Sequence, residues 1–148
     1  MNTEDRLNQL FEAAKAAQSK AYVPYSRYRV GAAILADDSV VYAGCNVENA
    51  AYPTGTCAEA GAVSAMICGG GKRIVEIVVI GQGHVLCTPC GNCRQRIREF
   101  ANPDTPIHVA DENGIRRTFT LEELLPFSFG PDNLNSSEGS TGVETMTQ

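Results

Sequence analysis

The chain has 148 residues, 43% of them hydrophobic, which suits one compact domain with its own core but hardly two. Twelve Lys and Arg stand against seventeen Asp and Glu, giving a net charge of -5 and a pI near 5.0; that sign argues against holding a phosphate backbone and so against a polynucleotide substrate. No apolar run approaches the ~18 residues that span a bilayer, and the acidic start from Met1 to Arg6 has no apolar stretch behind it, so a soluble cytoplasmic protein with no membrane partner is expected.

Leu7, Leu10, Phe11 and Ala14 repeat at helical spacing and predict an amphipathic helix over 4–19, followed by a loop with Pro24. Tyr28 to Leu35, a turn at Asp37 to Ser39, and Val40 to Cys45 predict a β-hairpin. Asn46 to Thr56 is rich in Asn, Gly and Pro and reads as a loop. An Ala-rich helix from Cys57 is stopped by Gly69-Gly70-Gly71, and the apolar run Ile74 to Ile80 reads as a buried strand. A second loop leads to a helix over 90–100; strands at Ile107 to Ala110 and Ile115 to Phe119 flank the turn Asp111 to Gly114, and a short helix, Leu121 to Leu125, is closed by Pro126. The alternation predicts an α/β fold, a three-layer sandwich with helices on both faces of a mixed sheet of about five strands. One catalytic domain is expected over 1–132, with a disordered tail over 133–148, where Ser, Thr, Gly and Asn leave little to bury.

Six cysteines could form three disulfides, but a chain with no secretory signal and an adequate core reads more naturally as holding reduced thiols, some of them on metal. Cys57 opens one predicted helix; Cys90 and Cys93 open another, spaced to share one side of its first turn. Unpaired N–H groups and the helix dipole at such positions favour thiolates. Cys87 extends the run to C-x-x-C-x-x-C, but an iron–sulfur motif would need a further cysteine where Ile97 stands, and the proline after it. A structural zinc held by all four cysteines stays open on spacing alone, while Cys45 and Cys68 read as core thiols. Glu59 tips the balance. A structural zinc has no use for a carboxylate two residues from a ligand, whereas a hydrolytic site needs a base for the proton of its activated water. Standing alone, it would read as a solvated first-turn glutamate.

Cys57-Ala58-Glu59 together with P-C-G-N-C from Pro89 to Cys93 resembles the zinc nucleoside deaminase signature. Y-S-R-Y from Tyr25, V-G-A-A from Val30, G-C-N-V-E-N-A from Gly44, C-R-Q from Cys93 and E-L-L-P-F-S-F-G-P from Glu123 extend the likeness to small homotetrameric cytidine deaminases over residues 20–134. The resemblance implies one Zn²⁺ per chain on Cys57, Cys90 and Cys93, with Glu59 as the catalytic proton shuttle converting cytidine and 2′-deoxycytidine to uridine and 2′-deoxyuridine in pyrimidine salvage. It also implies ribose contacts by Asn46 and Glu48, pyrimidine contact by the Ala58 backbone, stacking by Tyr28 where the family has phenylalanine, and closure of a neighbouring subunit's site by Phe129. Loop capping is the plain alternative for Asn46 and Glu48. Two rivals differ in class. A zinc-stabilised binding module would not need Glu59, and a deaminase of a nucleoside antibiotic shares the cysteines and glutamate but not Asn46 to Asn49, which favour an ordinary ribonucleoside.

One departure concerns charge. Three thiolates on Zn²⁺ leave a net charge of about -1 that a cation or hydrogen bonds to sulfur should relieve. The family commonly supplies an arginine directly after the glutamate, and here that position is Ala60. Arg29, replacing the family's proline, is expected to take over the task, with Arg94 as second candidate.

Overall fold

The computed structural model describes residues 2–139. Its strands are β1 (Gly31–Ala36), β2 (Val41–Cys45), β3 (Ile74–Ile80), β4 (Pro106–Asp111) and β5 (Gly114–Thr120); its helices are α1 (Thr3–Gln18), α2 (Ala58–Gly69), α3 (Gly91–Phe100), α4 (Leu121–Leu124) and α5 (Pro131–Gly139). The strands form one sheet in the order β2-β1-β3-β4-β5, with β3 parallel to β4 and the other pairs antiparallel. This is the expected mixed α/β sheet. No helix among the described residues is long and apolar enough to cross a membrane.

Strand alternation divides the core into two layers. Ile77 and Val79 join Ala62, Met66, Ile97 and Ile107 on the side covered by α2 and α3, while Val78 and Ile80 meet Leu10 and Ala14 of α1 on the other. Covered on both faces, β3 reads as an unbroken apolar run, and each large side chain so buried contributes about 1.5–3 kcal/mol. Glu76 is the polar exception: its carboxylate accepts from Arg6 Nε at 2.7 Å and lies 3.3 Å from His108 Nε2, so the buried charge is partnered.

The register places the ends that matter together. Gly31 pairs with Cys45 on one side and Ile80 on the other, so β2 and β3 finish at the same end of the sheet, where their loops lead into α2 and α3. Loop 46–56 is tied at its base by reciprocal hydrogen bonds between Val47 and Thr56, at 2.9 and 2.8 Å, which set the position of Cys57 next in the chain. Helix α2 lies directly on β2 because Gly44 has no side chain; a Cβ there would stand 2.4 Å from Ala62 N and 2.6 Å from Ala58 O.

Two expectations change. Residues 28–30 stay outside the first strand, because the N–H groups of Arg29 and Val30 bond to Gln82 Oε1 and Asn46 Oδ1 instead of a strand neighbour. The boundary drawn at 132 falls within α5, which Pro131 opens with its preset φ and Asn133 supports by accepting from Gly130 N at 2.9 Å. The rest of the expected tail, 140–148, lies outside the described residues.

Gly44→Ala should force α2 off the sheet and cost about 1–3 kcal/mol, read as a lower urea midpoint with an unchanged m-value. An unaltered midpoint would show that the helix shifts without cost.

Candidate active site

Cys57 and Cys90 are the residues immediately before α2 and α3, and neither side chain caps its helix by a hydrogen bond. Cys93 lies in the first turn of α3 and is fully buried. The three Sγ atoms lie within 4.8 Å of one another, with Cys57 and Cys90 4.0 Å apart. Tetrahedral zinc with Zn–S bonds of ~2.3 Å sets its sulfurs about 3.8 Å apart, so this donor set fits one zinc ion with small adjustment. Cys87 is not in the cluster. It turns instead toward Tyr28, and the two side chains converge over Gly81, where a Cβ would lie 2.4 Å from Cys87 Cβ and 2.6 Å from the Tyr28 hydroxyl.

The helix starts alone do not make all three sulfurs anionic. Burial raises the Cys57 thiol above its ordinary range, and raises Cys93 further with help from the negative field of Glu59 and its sister thiols. At Cys90 burial acts the same way, but hydrogen bonds from the Cys93 N–H and from the Cys93 and Cys57 thiols outweigh it, and the thiol falls below its usual value. Metal ligation requires all three deprotonated, so a divalent cation supplies what the dipoles cannot.

Glu59 is 4% exposed. Burial raises its carboxyl above the usual carboxylate range, opposed by its own backbone N–H, the Cys93 thiol and the field of Arg96. A carboxyl held closer to neutrality takes and returns protons readily.

The other expected residues make contacts of their own. Asn46 accepts from Val30 N at 2.9 Å through Oδ1 and donates to Tyr28 O at 2.9 Å, leaving one amide hydrogen uncommitted in those bonds. Glu48 accepts from Tyr25 N at 3.0 Å, Ser26 N at 3.1 Å and the Ser26 hydroxyl. Both side chains therefore brace loop 23–30. The Tyr28 hydroxyl donates to Gln82 O at 3.3 Å, and burial, then Cys87, raises its pKa. Ala58 is buried at the first position of α2. Phe129 is 57% exposed; its carbonyl accepts from Gln95 Nε2 at 2.9 Å, fastening the C-terminal segment to α3 while its ring stays outside this chain's core.

Residues 4–109, which include the three cysteines, Glu59, Asn46 and Glu48, match the family model described as the cytidine and deoxycytidylate deaminase zinc-binding region. The chain belongs to this family. A cytidine deaminase of Sporosarcina psychrophila is 37% identical over 129 residues, covering 87% of this chain and 95% of that one; one from Mycobacterium tuberculosis is 43% identical over 128 residues, covering 86% and 92%. The crystal structure of cytidine deaminase from Burkholderia pseudomallei superposes with a TM-score of 0.79 at 39% identity, over 87% of this chain and all of that one.

Within this deaminase frame the expected cations are elsewhere. Arg29 Nη1 donates to Ala21 O at 2.5 Å and Ser19 O at 3.4 Å, holding the turn after α1. Arg94 spends its guanidinium on Pro89 O, Leu124 O and Thr88 Oγ1, at 2.7, 2.8 and 3.1 Å, pinning the loop that delivers Cys90. Neither reaches a thiol in those bonds. Arg96, which the sequence reading passed over, donates to Cys93 Sγ at 3.6 Å; spacing by three residues along a helix was the signal that could have found it. Gln82, which receives Arg29 N and Tyr28 OH, had no such signal.

Cys57→Ala should reduce bound zinc to under about a tenth of the parent's content, whereas Cys87→Ala should keep about one ion per chain, measured by elemental analysis after dialysis. Equal losses would place Cys87 among the ligands.

Proposed function

We propose that this chain hydrolyses cytidine and 2′-deoxycytidine to uridine and 2′-deoxyuridine with release of ammonia, in pyrimidine salvage. The observation that carries the reading is a buried glutamate beside a cluster of three thiols, since three protein ligands leave a fourth zinc position open where four would close it. Zinc on Cys57, Cys90 and Cys93 supplies Lewis-acid activation of a water molecule near neutral pH. Glu59 does the proton work. Its carboxylate takes a proton from the attacking water and gives it to N3 of the base as the C4–O bond forms; it then carries the remaining hydroxyl proton to N4, so that the C4–N4 bond breaks, C4=O forms and ammonia leaves.

The remaining roles are those that the likeness to cytidine deaminases supports. The Ala58 backbone meets the pyrimidine edge, the Tyr28 ring stacks on the base, and Asn46 and Glu48 take ribose hydroxyls with the hydrogen-bonding capacity left after bracing their loop. We assign the active form to a cytoplasmic homotetramer in which Phe129 closes a neighbour's site. Its support is the 57% exposure of that ring, beside a fully exposed Phe127, in a segment fastened to α3 by Gln95 and by Arg98 donating to Ser128 Oγ at 2.9 Å. Unpaired cysteines accord with a reducing compartment.

The direct test follows the fall in absorbance as cytidine becomes uridine. Glu59→Gln should keep its zinc while kcat falls by at least about a hundredfold; turnover within tenfold of the parent would assign the proton transfers to another group.

Phe129→Ala should retain a folded chain with markedly reduced kcat/KM, accompanied by weaker association in sedimentation velocity. A fully active monomer at assay concentration would refute the shared site.

A further inference from the structure

Zinc and three thiolates carry a net charge of about -1, and an electron-rich thiolate shell weakens the metal as a Lewis acid. Cys93 is where this charge is least tolerable, because its side chain is fully buried and has no water over which to spread it. Arg96 stands three residues further along α3, on the same helix face, with Nη1 3.6 Å from Cys93 Sγ. Among the described residues its guanidinium has no carboxylate within salt-bridge distance, although Glu99 lines the same groove. The facing wall of that groove, from α2, presents Ala60 and Ser64. A single methyl at position 60, directly after Glu59, leaves that side without a charge of its own.

We infer that Arg96 is the cation that draws charge from the thiolate centre, a positioning residue acting on zinc through Cys93 from α3, in a groove kept open by Ala60. The guanidinium suits this place. It presents a directed N–H to sulfur while its outer side remains exposed. The inference rests on the zinc reading of the cluster proposed above.

The test uses the full chain, zinc-loaded and cobalt-substituted, as parent, Arg96→Gln, and Arg96→Gln with Ala60→Arg. Removing a hydrogen-bonded cation raises the energy of the sulfur lone pairs, so the sulfur-to-cobalt charge-transfer band of Arg96→Gln should move to longer wavelength. Zinc should pass to a chromogenic chelator about tenfold faster or more, and kcat should fall with little change in KM. Adding Ala60→Arg should return the band and the zinc retention part of the way, because it offers a guanidinium from the opposite wall. An unmoved band in Arg96→Gln overturns the inference, including the case where zinc is lost faster, which would mark Arg96 as a packing residue only. Parent protein that binds well under one zinc per chain overturns both this inference and the zinc reading; a parent with full zinc and a variant with an unmoved band overturns the role of Arg96 alone.

Discussion

Everything at this site depends on two helix starts being brought against one another at one end of the sheet. Gly31 pairs with the last residues of both β2 and β3, so the loops leaving those strands begin side by side and deliver Cys57 and Cys90 to the same place. Gly44 lets α2 rest on β2 without an intervening side chain, and Arg94 ties the loop before α3 to Leu124 of α4. Each of these contacts fixes an element that carries one of the sulfurs. A three-thiol set tolerates little separation, because zinc–sulfur bonds have one preferred length.

Bringing the thiols together has an electrostatic cost that the helix N-termini do not cover. A first-turn N–H and the helix dipole are worth at most ~2 kcal/mol in partly buried positions, and here burial and mutual repulsion prevail at Cys57 and Cys93, leaving only Cys90 lowered. Burial also raises the Glu59 carboxyl above the usual carboxylate range. The burial that resists ionised thiols at Cys57 and Cys93 also favours the neutral form of this carboxyl, and a divalent cation offsets the charge of the thiolates.

Several side chains around the cluster have structural work within the chain itself. Asn46 stands in for strand neighbours of residues 28–30, and Glu48 caps the turn at Tyr25 and Ser26. The plain expectation of loop bracing is met by these atoms. This bracing means that loss of either side chain alters the loop carrying Tyr28 as well as any contact with a sugar, so effects of such changes on KM carry a positional component.

The sequence by itself determined most of the elements and the candidate metal-binding set. A continuous apolar run made β3 legible, glycines ended α2, and the spacing of Cys57, Glu59, Cys90 and Cys93 pointed to metal chemistry with a carboxylate beside it, because those signals lie within short segments of the chain. Tertiary structure alone decided what depends on distances between segments. It set Cys87 apart from the cluster and against Tyr28, turned Arg29 onto the Ala21 carbonyl, used Arg94 as a brace, and put Arg96 on Cys93. A guanidinium sits on a long stem with several rotamers, and which of many nearby carbonyls or sulfurs it meets is fixed only when the packed segments leave one of them within reach.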